Sequence, residues 1–404
     1  MIRAFLVAFA AFFALAASAG AASSAHGAAP SLDIALDRAL RAPGIDPGSS
    51  AAIAIDLRSG AIVYERNARR ALLPASAEKL AVSFTALRVL GPRFRFRTEV
   101  VGVGTRSGQV WNGNLGLVGY GDPTLDRSDL DRLARKFAST GIRRVAGRIV
   151  GDDTHFDARR DALGWKPSYV GYESRPLSAL AVGGVMFDGA NGSAAAAARA
   201  FKDALERRGI AVTGRAGGGG APAAALTIAF DLSEPLARIV RLMNARSDNF
   251  VAEMVLKELG STIVARGSTT AGARVVRATL SEAGVRLAGV RIADGSGLSR
   301  YDRSTVLALT DILSAGASDT AIRDAFITSL AVAGVSGTLE KRLDGRPTKG
   351  CVIGKTGTTN RASALAGFVR RRYVFAILQN GRPVPYWYAR AAQDRFVTLL
   401  ARSE

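Results

Sequence analysis

The chain has 404 residues, of which 48% are hydrophobic and 22% are charged, a balance typical of folded globular domains and not of a disordered protein. Its single cysteine, Cys351, excludes an internal disulfide bond and zinc sites built from several thiolates. Its two histidines, His26 and His155, exclude a metal site with several imidazole ligands, and a Ser-His-Asp triad would depend on His155 alone. An enzyme of this composition needs another base, and lysine is the obvious substitute.

The net charge of +20 comes mainly from arginines, which occur in short runs scattered along the chain. This distribution favours a solvated surface, and attraction to an anionic polymer such as the cell wall is the alternative. We do not expect nucleic-acid binding, because the basic residues form no concentrated stripe.

Residues 1–21 are predicted to be a signal peptide. Arg3 precedes an apolar run over residues 4–17, and Ala17-Ser18-Ala19 is typical of a cleavage site. The run is too short to span a bilayer comfortably, and no second long apolar stretch follows. We therefore expect a protein secreted across the cytoplasmic membrane into the periplasm or cell-wall space, with no transmembrane anchor after cleavage.

The remaining elements are predicted from periodicity and turn residues. Residues 30–91 contain, in order, a helix (32–40), a strand hairpin (51–56 and 61–64) and a helix that ends at Gly91. Residues 92–232 contain strands (96–104, 110–119, 145–151), helices (130–137, 194–207) and a glycine run predicted as a linker (217–220). Residues 233–404 contain a helical block (236–343), three strands (352–358, 363–369, 373–378) and a final helix (387–400).

This order predicts the domain organisation. The two strands near the start and the three near the end pair into one antiparallel sheet, against which the helical block packs. Residues 30–91 and 233–404 then form one domain, and residues 92–232 are inserted into it.

The first motif with chemical potential is Ser76-Ala77-Glu78-Lys79. A spacing of three places the Ser76 hydroxyl and the Lys79 amine on one face of a helix, and the helix N-terminus favours negative charge developing at the serine. Lys79 can accept the serine's proton only if its pKa falls several units below the usual value of about 10.4. Alone the motif is weak, since S-x-x-K arises often by chance.

Two further motifs have ordinary explanations when each is taken separately. Ser247-Asp248-Asn249 opens a helical stretch and is typical of an N-cap. Lys355-Thr356-Gly357-Thr358 lies on a strand and is compatible with an edge lysine before a turn. A phosphate-binding loop is excluded at this position, because Lys349 stands where that motif requires glycine and a strand follows instead of a helix.

The combination is much more specific than its parts. S-x-x-K, S-D-N and K-T-G in this order are the signature of penicillin-binding proteins and class A β-lactamases. Further segments extend the likeness: 74–76, 121–125, 294–300, 334–339 and 364–367. Together they resemble the D-alanyl-D-alanine carboxypeptidase/endopeptidase family, the low-molecular-mass class C penicillin-binding proteins of serine peptidase family S13.

The resemblance covers nearly all of the mature chain and implies a fold. That fold is an α/β (α+β) transpeptidase fold, with a five-stranded antiparallel sheet, helices on both faces and an inserted accessory domain. An insertion fits the 171 residues that separate Ser76 from Ser247. The direct bridge Asp188-Gly189-Ala190-Asn191-Gly192 implies that the insertion is shortened relative to the family.

The resemblance also implies a mechanism on peptidoglycan stem peptides. Ser76 attacks the carbonyl carbon of the penultimate D-alanine and forms an acyl-enzyme, with Lys79 as its base. The other implied catalytic residues are Ser247, Asn249 and Lys355, and the implied substrate-binding residues are Thr356, Gly357, Thr358, Ser296 and Arg300. The backbone N–H groups of Ser76 and Thr358 are the expected oxyanion hole. β-Lactams are the expected covalent inhibitors, and no metal or organic cofactor is implied.

Three features keep alternatives open. The segment Lys166-Pro167-Ser168-Tyr169 lacks the acid with which many relatives grip the free amine of a diamino-acid peptide, and Glu173 is the nearest acid. A β-lactamase needs a deacylating glutamate, usually in E-x-x-L-N, and residues 282–285 do not match that pattern. A catalytically idle wall-binding or sensor protein need not keep all five catalytic residues. The balance between carboxypeptidase and endopeptidase activity and the oligomeric state do not follow from the sequence.

Overall fold

The computed structural model describes residues 31–186, 192–222 and 224–403. The predicted signal peptide and the bridge residues 188–191 lie outside the described residues. No helix in the described ranges is long and apolar enough to cross a membrane.

The described residues contain eleven α-helices and thirteen strands. The helices are α1 (Leu32–Leu40), α2 (Lys79–Val89), α3 (Arg127–Ala138), α4 (Tyr169–Tyr172), α5 (Gly192–Glu206), α6 (Leu236–Arg246), α7 (Asn249–Val264), α8 (Thr269–Glu282), α9 (Val306–Ser318), α10 (Arg323–Ser329) and α11 (Tyr386–Arg402). The strands are β1 (Ser50–Asp56), β2 (Ile62–Arg66), β3 (Arg97–Ser107), β4 (Val110–Gly119), β5 (Arg144–Ala146), β6 (Ile149–Asp152), β7 (Ala211–Val212), β8 (Ala216–Gly218), β9 (Leu226–Leu232), β10 (Ala331–Val332), β11 (Val352–Thr359), β12 (Ala362–Val369) and β13 (Tyr373–Asn380).

The first sheet joins the two ends of the chain, as predicted. Its strand order is β10-β11-β12-β13-β1-β2, and all neighbours are antiparallel. The predicted number of five strands is one too few, because β10 also pairs with β11. Two residues are too short to show alternation, so β10 leaves no readable signal in the sequence.

Helices cover both faces of this sheet, which explains why its central strands are apolar on both sides. Alternate residues such as Ile53 and Ala376 pack on one face, against α2 and α6–α10. Their neighbours Ala52 and Ile377 pack on the other face, against α1 and α11. The architecture is the predicted α/β transpeptidase class.

The segment between α2 and α6 forms a second sheet with its own hydrophobic core. The strand order is β7-β5-β4-β3-β9, and β6 pairs with β4 and β8. Helices α3 and α5 pack against it through residues such as Leu133 and Phe201. Contacts unite residues 32–404 into one compact unit, so the boundaries 92 and 232 of an inserted domain remain a prediction.

Two predictions in this segment are wrong in detail. The single strand expected at 145–151 is two strands, β5 and β6, separated by Gly147 and Arg148. The glycine run expected as a linker begins inside β8, which pairs in parallel with β6. A β-ladder is held by backbone hydrogen bonds, so glycines can join it although their composition suggests a flexible link.

Candidate active site

Ser76 lies in a tight turn that leads into α2. A 3-10 turn spans Ala75–Glu78, and α2 begins at Lys79. Ala75 has a φ of 46°, a left-handed conformation that costs a non-glycine residue about 1 kcal/mol or more. The turn leaves Ser76 half-buried, while Lys79 is completely buried behind it.

Lys79 is held by three oxygen atoms. Its Nζ lies 3.1 Å from Ser76 Oγ, 2.8 Å from Asn249 Oδ1 and 2.7 Å from the carbonyl oxygen of Ser296. A neutral amine has two N–H groups and one lone pair, so the last two oxygens can take its hydrogens while the lone pair faces the Ser76 hydroxyl. The arrangement suits proton transfer from Ser76 to Lys79.

The pKa of Lys79 is about 8, and burial is the main cause of this decrease. Neighbouring acids act in the opposite direction, and Asp294 is the largest contributor. Burial thus supplies the decrease in pKa that Lys79 needs in order to act as a base.

The three residues of Ser247-Asp248-Asn249 have different roles: one caps a helix and the other two direct their side chains into the site. Asp248 is the N-cap of α7, since its Oδ1 accepts a hydrogen bond from the Val251 N–H at 3.0 Å. Ser247 ends α6 in a left-handed conformation with a φ of 57°. This joint turns Ser247 Oγ toward Lys355 and Asn249 Oδ1 toward Lys79. The ordinary capping explanation is therefore correct for Asp248 only.

Lys355 extends from β11 into the same site. Its Nζ lies 2.9 Å from Ser247 Oγ and donates to its neighbour, the carbonyl oxygen of Thr356, at 2.8 Å. Its side chain is completely buried, and burial holds its pKa well below the usual value, an effect to which the charge of Lys79 adds.

Two threonines of β11 have partners that the sequence argument missed. Thr356 Oγ1 lies 2.8 Å from Thr338 Oγ1, and Thr358 Oγ1 accepts a hydrogen bond from Arg390 Nη2 at 3.1 Å. Thr338 lies in a short 3-10 turn and Arg390 in α11. Only the fold brings these distant positions to β11, although the segment around Thr338 had already contributed to the family resemblance.

Gly357 lets β11 approach the turn that carries Ser76. A Cβ atom at this position would lie 2.8 Å from the carbonyl oxygen of Pro74 and 3.0 Å from the Ser76 nitrogen. Such distances are too short for any side chain, so glycine is required. The backbone of β11 thus runs beside the Ser76 N–H, where an oxyanion hole is expected.

Comparison with known proteins decides the family. The family model for the D-Ala-D-Ala carboxypeptidase 3 (S13) family matches residues 32–191 and 184–403. The D-alanyl-D-alanine carboxypeptidase of Actinomadura sp. (strain R39) is 33% identical, over 91% of this chain and 84% of that protein. The carboxypeptidase DacB of Mycolicibacterium smegmatis is 30% identical, over 80% of this chain and 75% of that protein. The chain belongs to the S13 family.

A solved structure shows the same fold. The crystal structure of penicillin binding protein 4 (dacB) from Haemophilus influenzae aligns with a TM-score of 0.80 and 23% identity. The alignment covers 91% of this chain and 98% of that one. The fold expected from the three motifs is confirmed.

The glycine-rich loop 294–300 of this S13 chain differs from expectation in one respect. The Ser296 side chain is buried and donates to Asp294 Oδ2 at 3.0 Å, while its carbonyl oxygen accepts from Lys79. Ser296 therefore faces the catalytic lysine through its backbone, and its hydroxyl is already occupied. Arg300 is exposed, and its Nη2 donates to the Tyr301 hydroxyl at 2.7 Å.

A cavity of about 420 Å³ lies beside Ser76. Its walls come from the loop 294–300, from the turn after β11 and from the segment after Gly164. Among the described residues that line it, three are cationic and none is acidic; the three are Lys166, Arg300 and Arg361. The expected shortage of acid near residues 166–169 thus coincides with the wall of a basic cavity.

His155, the histidine among the described residues, contacts none of the catalytic residues of this S13 chain. His155 Nε2 lies 2.8 Å from Glu258 Oε2, and its ring stacks edge-on against Tyr120. Among residues 31–186, 192–222 and 224–403, no cluster of three or more His, Cys, Asp or Glu side chains is arranged to hold a metal ion.

Proposed function

We propose that this S13 family member is a serine-type D-Ala-D-Ala peptidase that cleaves peptidoglycan stem peptides through an acyl-enzyme at Ser76. The observation that carries the proposal is the contact of 3.1 Å between Lys79 Nζ and Ser76 Oγ, together with the two oxygens that fix Lys79 on its other sides. Family membership supplies the reaction class, and these contacts support the assignment of the roles.

Acylation begins with transfer of the Ser76 proton to neutral Lys79. The Ser76 oxygen then bonds to the carbonyl carbon of the penultimate D-alanine, and the C–N bond to the leaving amine breaks. The backbone N–H groups of Ser76 and Thr358 receive the negative charge that develops on the carbonyl oxygen. The amine leaves with a proton relayed through Ser247, which balances the proton taken from Ser76.

The substrate's terminal carboxylate binds on the β11 side of the site. Lys355 supplies positive charge, and the hydroxyls of Thr356 and Thr358 approach the carboxylate oxygens. Arg390, which already donates to Thr358 Oγ1, adds a second cation at this end. Water finally hydrolyses the ester and releases the shortened peptide.

The peptide on the acyl side enters the cavity beside Ser76. Because Lys166, Arg300 and Arg361 line this cavity and its described lining includes no acid, it offers no ion pair to a peptide side chain that ends in a free amine.

A β-lactamase is the competing enzyme. Glu282 lies on the exposed end of α8, and the segment that follows lacks the E-x-x-L-N pattern. We expect β-lactams to acylate Ser76, and we expect the resulting acyl-enzyme to hydrolyse slowly. The penicillin binding protein 4 structure from Haemophilus influenzae has been solved in complex with a β-lactam, which agrees with this expectation for the fold.

The proposed setting is the space outside the cytoplasmic membrane. The predicted signal peptide supports export, and related S13 proteins come from bacteria such as Haemophilus influenzae. The proposed partners are stem peptides as substrates and β-lactams as inhibitors.

Labelling with a fluorescent penicillin tests the function. The mature protein should take up one label per chain, and Ser76→Ala should take up none. Digestion of purified peptidoglycan, followed by mass spectrometry, should then show released D-alanine, cleaved cross-links or both. Rapid turnover of penicillin would indicate a β-lactamase, and labelling that persists in Ser76→Ala would refute the nucleophile.

A further inference from the structure

Glu253 is a buried acid of α7 that the mechanism above does not use. It lies four residues after Asn249, so both side chains project from the same face of the helix toward α2. Its side chain is completely buried, and an acid in such a place requires partners.

The partners of Glu253 are backbone amides of the glycine-rich loop. Its Oε1 accepts hydrogen bonds from the Gly295 N–H at 2.9 Å and from the Ser296 N–H at 2.8 Å. The carbonyl oxygen of the same Ser296 accepts from Lys79 Nζ at 2.7 Å. One residue thus connects the buried acid to the catalytic lysine through its own backbone.

A second acid, Asp294, fixes the loop on the other side of Ser296: it accepts from the Ser296 hydroxyl and holds the peptide group that the Ser296 carbonyl shares with the Gly297 N–H. Asp294 accepts from the Gly297 N–H at 2.7 Å and from the Ser299 N–H at 2.8 Å. These bonds hold the part of the loop beyond Ser296. The peptide between Asp294 and Ser296 is oriented by Glu253.

We propose that Glu253 is a positioning residue for the catalytic lysine, because its carboxyl group fixes the backbone on the N-terminal side of Ser296, the residue whose carbonyl oxygen accepts from Lys79 Nζ. The proposal rests on the role of Lys79 as base in the proposed function. When the Asn249 and Ser296 oxygens accept the two N–H hydrogens of neutral Lys79, its lone pair can point only toward Ser76. Without the Glu253 bonds, Ser296 is held by Asp294 alone, so the Ser296 carbonyl can shift and the lone pair loses that direction.

Its action depends on the position of an oxygen atom and not on negative charge. Burial raises the pKa of Glu253 to about 8, and the nearby charge of Asp294 acts in the same direction. Around neutral pH the group is therefore largely protonated, and a protonated carboxyl group still has an oxygen that accepts the two amide hydrogens.

Two conservative variants separate position from charge. Glu253→Gln keeps the length of the side chain and an accepting oxygen but cannot carry a negative charge. Glu253→Asp keeps the ability to ionise but withdraws the oxygens by one methylene group. The measurements are the acylation rate with a chromogenic β-lactam and kcat and KM on a D-Ala-D-Ala peptide.

We expect Glu253→Gln to stay within about threefold of the parent, and Glu253→Asp to lose about ten- to a hundredfold in acylation rate and kcat. KM should change less than about threefold in both, because the substrate contacts are untouched. Three outcomes would overturn the proposal: a larger loss in Glu253→Gln than in Glu253→Asp, equal losses in the two variants, or no loss in either. A loss above about tenfold in Glu253→Gln would overturn it even if the Asp variant did not fold.

Glu258 provides the matched control on the same helix. It is also buried and pairs with His155 at 2.8 Å, away from Lys79. Glu258→Gln and Glu258→Asp should both keep the parent's acylation rate, whatever they do to Tm. If the parent itself takes up no penicillin label, the proposed function fails; if the parent is labelled and the Glu253 variants rank wrongly, only the positioning role fails.

Discussion

At the scale of single residues, the protonation of Lys79 decides the rate of the proposed reaction. Burial lowers its pKa to about 8, and the charge of Asp294 limits the decrease. Only the neutral amine can take the Ser76 proton, so roughly a tenth of the molecules are ready at pH 7.

This leads to a pH prediction with a definite sign. Acylation by a chromogenic β-lactam should rise about tenfold per pH unit below the Lys79 pKa and level off above about pH 8. Lys355, whose pKa burial also lowers, should lose its positive charge as the pH rises and add a falling limb. Stopped-flow rates between pH 5.5 and about pH 9 measure both limbs. A rate that is flat over this range would contradict Lys79 as the base.

Replacing Lys79 by arginine keeps a positive charge and removes the base. A guanidinium group does not lose its proton under these conditions, so Lys79→Arg should reduce acylation by at least about a thousandfold. Lys136→Arg is the control, since Lys136 forms a surface pair with Asp231 at 2.7 Å. The control should acylate normally. Near-normal acylation by Lys79→Arg would show that the lysine serves as a fixed charge.

At the scale of elements, β11 and the turn before α2 form the site by close backbone contact. Gly357 is the point of contact, because a Cβ atom there would meet Pro74 and Ser76 backbone atoms at 2.8 and 3.0 Å. Gly297 makes a similar contact from the other side, where a Cβ atom would lie 1.9 Å from the carbonyl oxygen of Ala75. Two glycines thus let two segments converge on one serine.

Gly357→Ala should therefore separate β11 from Ser76. Relief of the clash requires a shift of a few tenths of an ångström or more, which costs about 1–3 kcal/mol of stability. Because it also displaces the oxyanion hole, acylation should fall by about a hundredfold. Gly217→Ala in β8 is the control, since nothing lies within 4 Å of its Cβ position. Unchanged acylation in Gly357→Ala would disprove the close approach.

The elements also show what the sequence can predict and where it stops. Strands β12 and β13 are continuous apolar runs bounded by turn residues, and helix α2 has large apolar residues at helical spacing. These elements and β11 form within a few residues of the expected bounds. Strand β10 and the glycine-rich β8 depend on neighbours in the sheet, so no local pattern reveals them. The same limit applies to Glu253, Thr338 and Arg390, which reach the site through tertiary contacts alone.

The sequence reveals each of the three motifs because the residues of each motif lie close together in the chain. The function that they indicate follows only from the combination of all three. Ser76 and Lys79 share one helical turn, so the sequence predicts their contact directly. The meeting of Asn249 with Lys79, at 2.8 Å, joins residues 170 positions apart and followed from the family resemblance alone. Helical spacing in the sequence thus predicts the contact between Ser76 and Lys79, whereas only the fold brings Asn249 to Lys79.

At the scale of the whole molecule, the segment between α2 and α6 contributes directly to the catalytic site. Trp165 Nε1 donates to Asp294 Oδ2 at 2.7 Å, and the Leu163 carbonyl oxygen accepts from Ser299 Oγ at 2.6 Å. The Glu173 carbonyl oxygen accepts from Asn249 Nδ2 at 3.0 Å. This segment therefore braces two catalytic loops and forms a wall of the basic cavity.

The basic cavity beside Ser76 bears on which stem peptide the protein prefers. Lys166, Arg300 and Arg361 line it, and Glu173, the nearest acid in the sequence, is exposed and meets the site through its backbone. A charge-assisted hydrogen bond to a substrate amine would be worth about one to two decades in rate, and the described lining offers no acid to make it. We expect kcat/KM for a stem peptide with a free side-chain amine to differ less than about threefold from that for its N-acetylated counterpart.

Two variants test whether the charge of the cavity wall determines this ratio of kcat/KM values. Glu173→Gln should leave this ratio unchanged, because its carboxylate takes no part. Lys166→Glu should raise the preference for the free amine by roughly tenfold, since it places an acid in the cavity wall. Lys341→Glu makes the same change of charge at an exposed position outside the cavity lining and should leave the ratio unaltered. A strong preference for the free amine in the parent, unchanged in Glu173→Gln, would locate the recognising acid elsewhere in the chain.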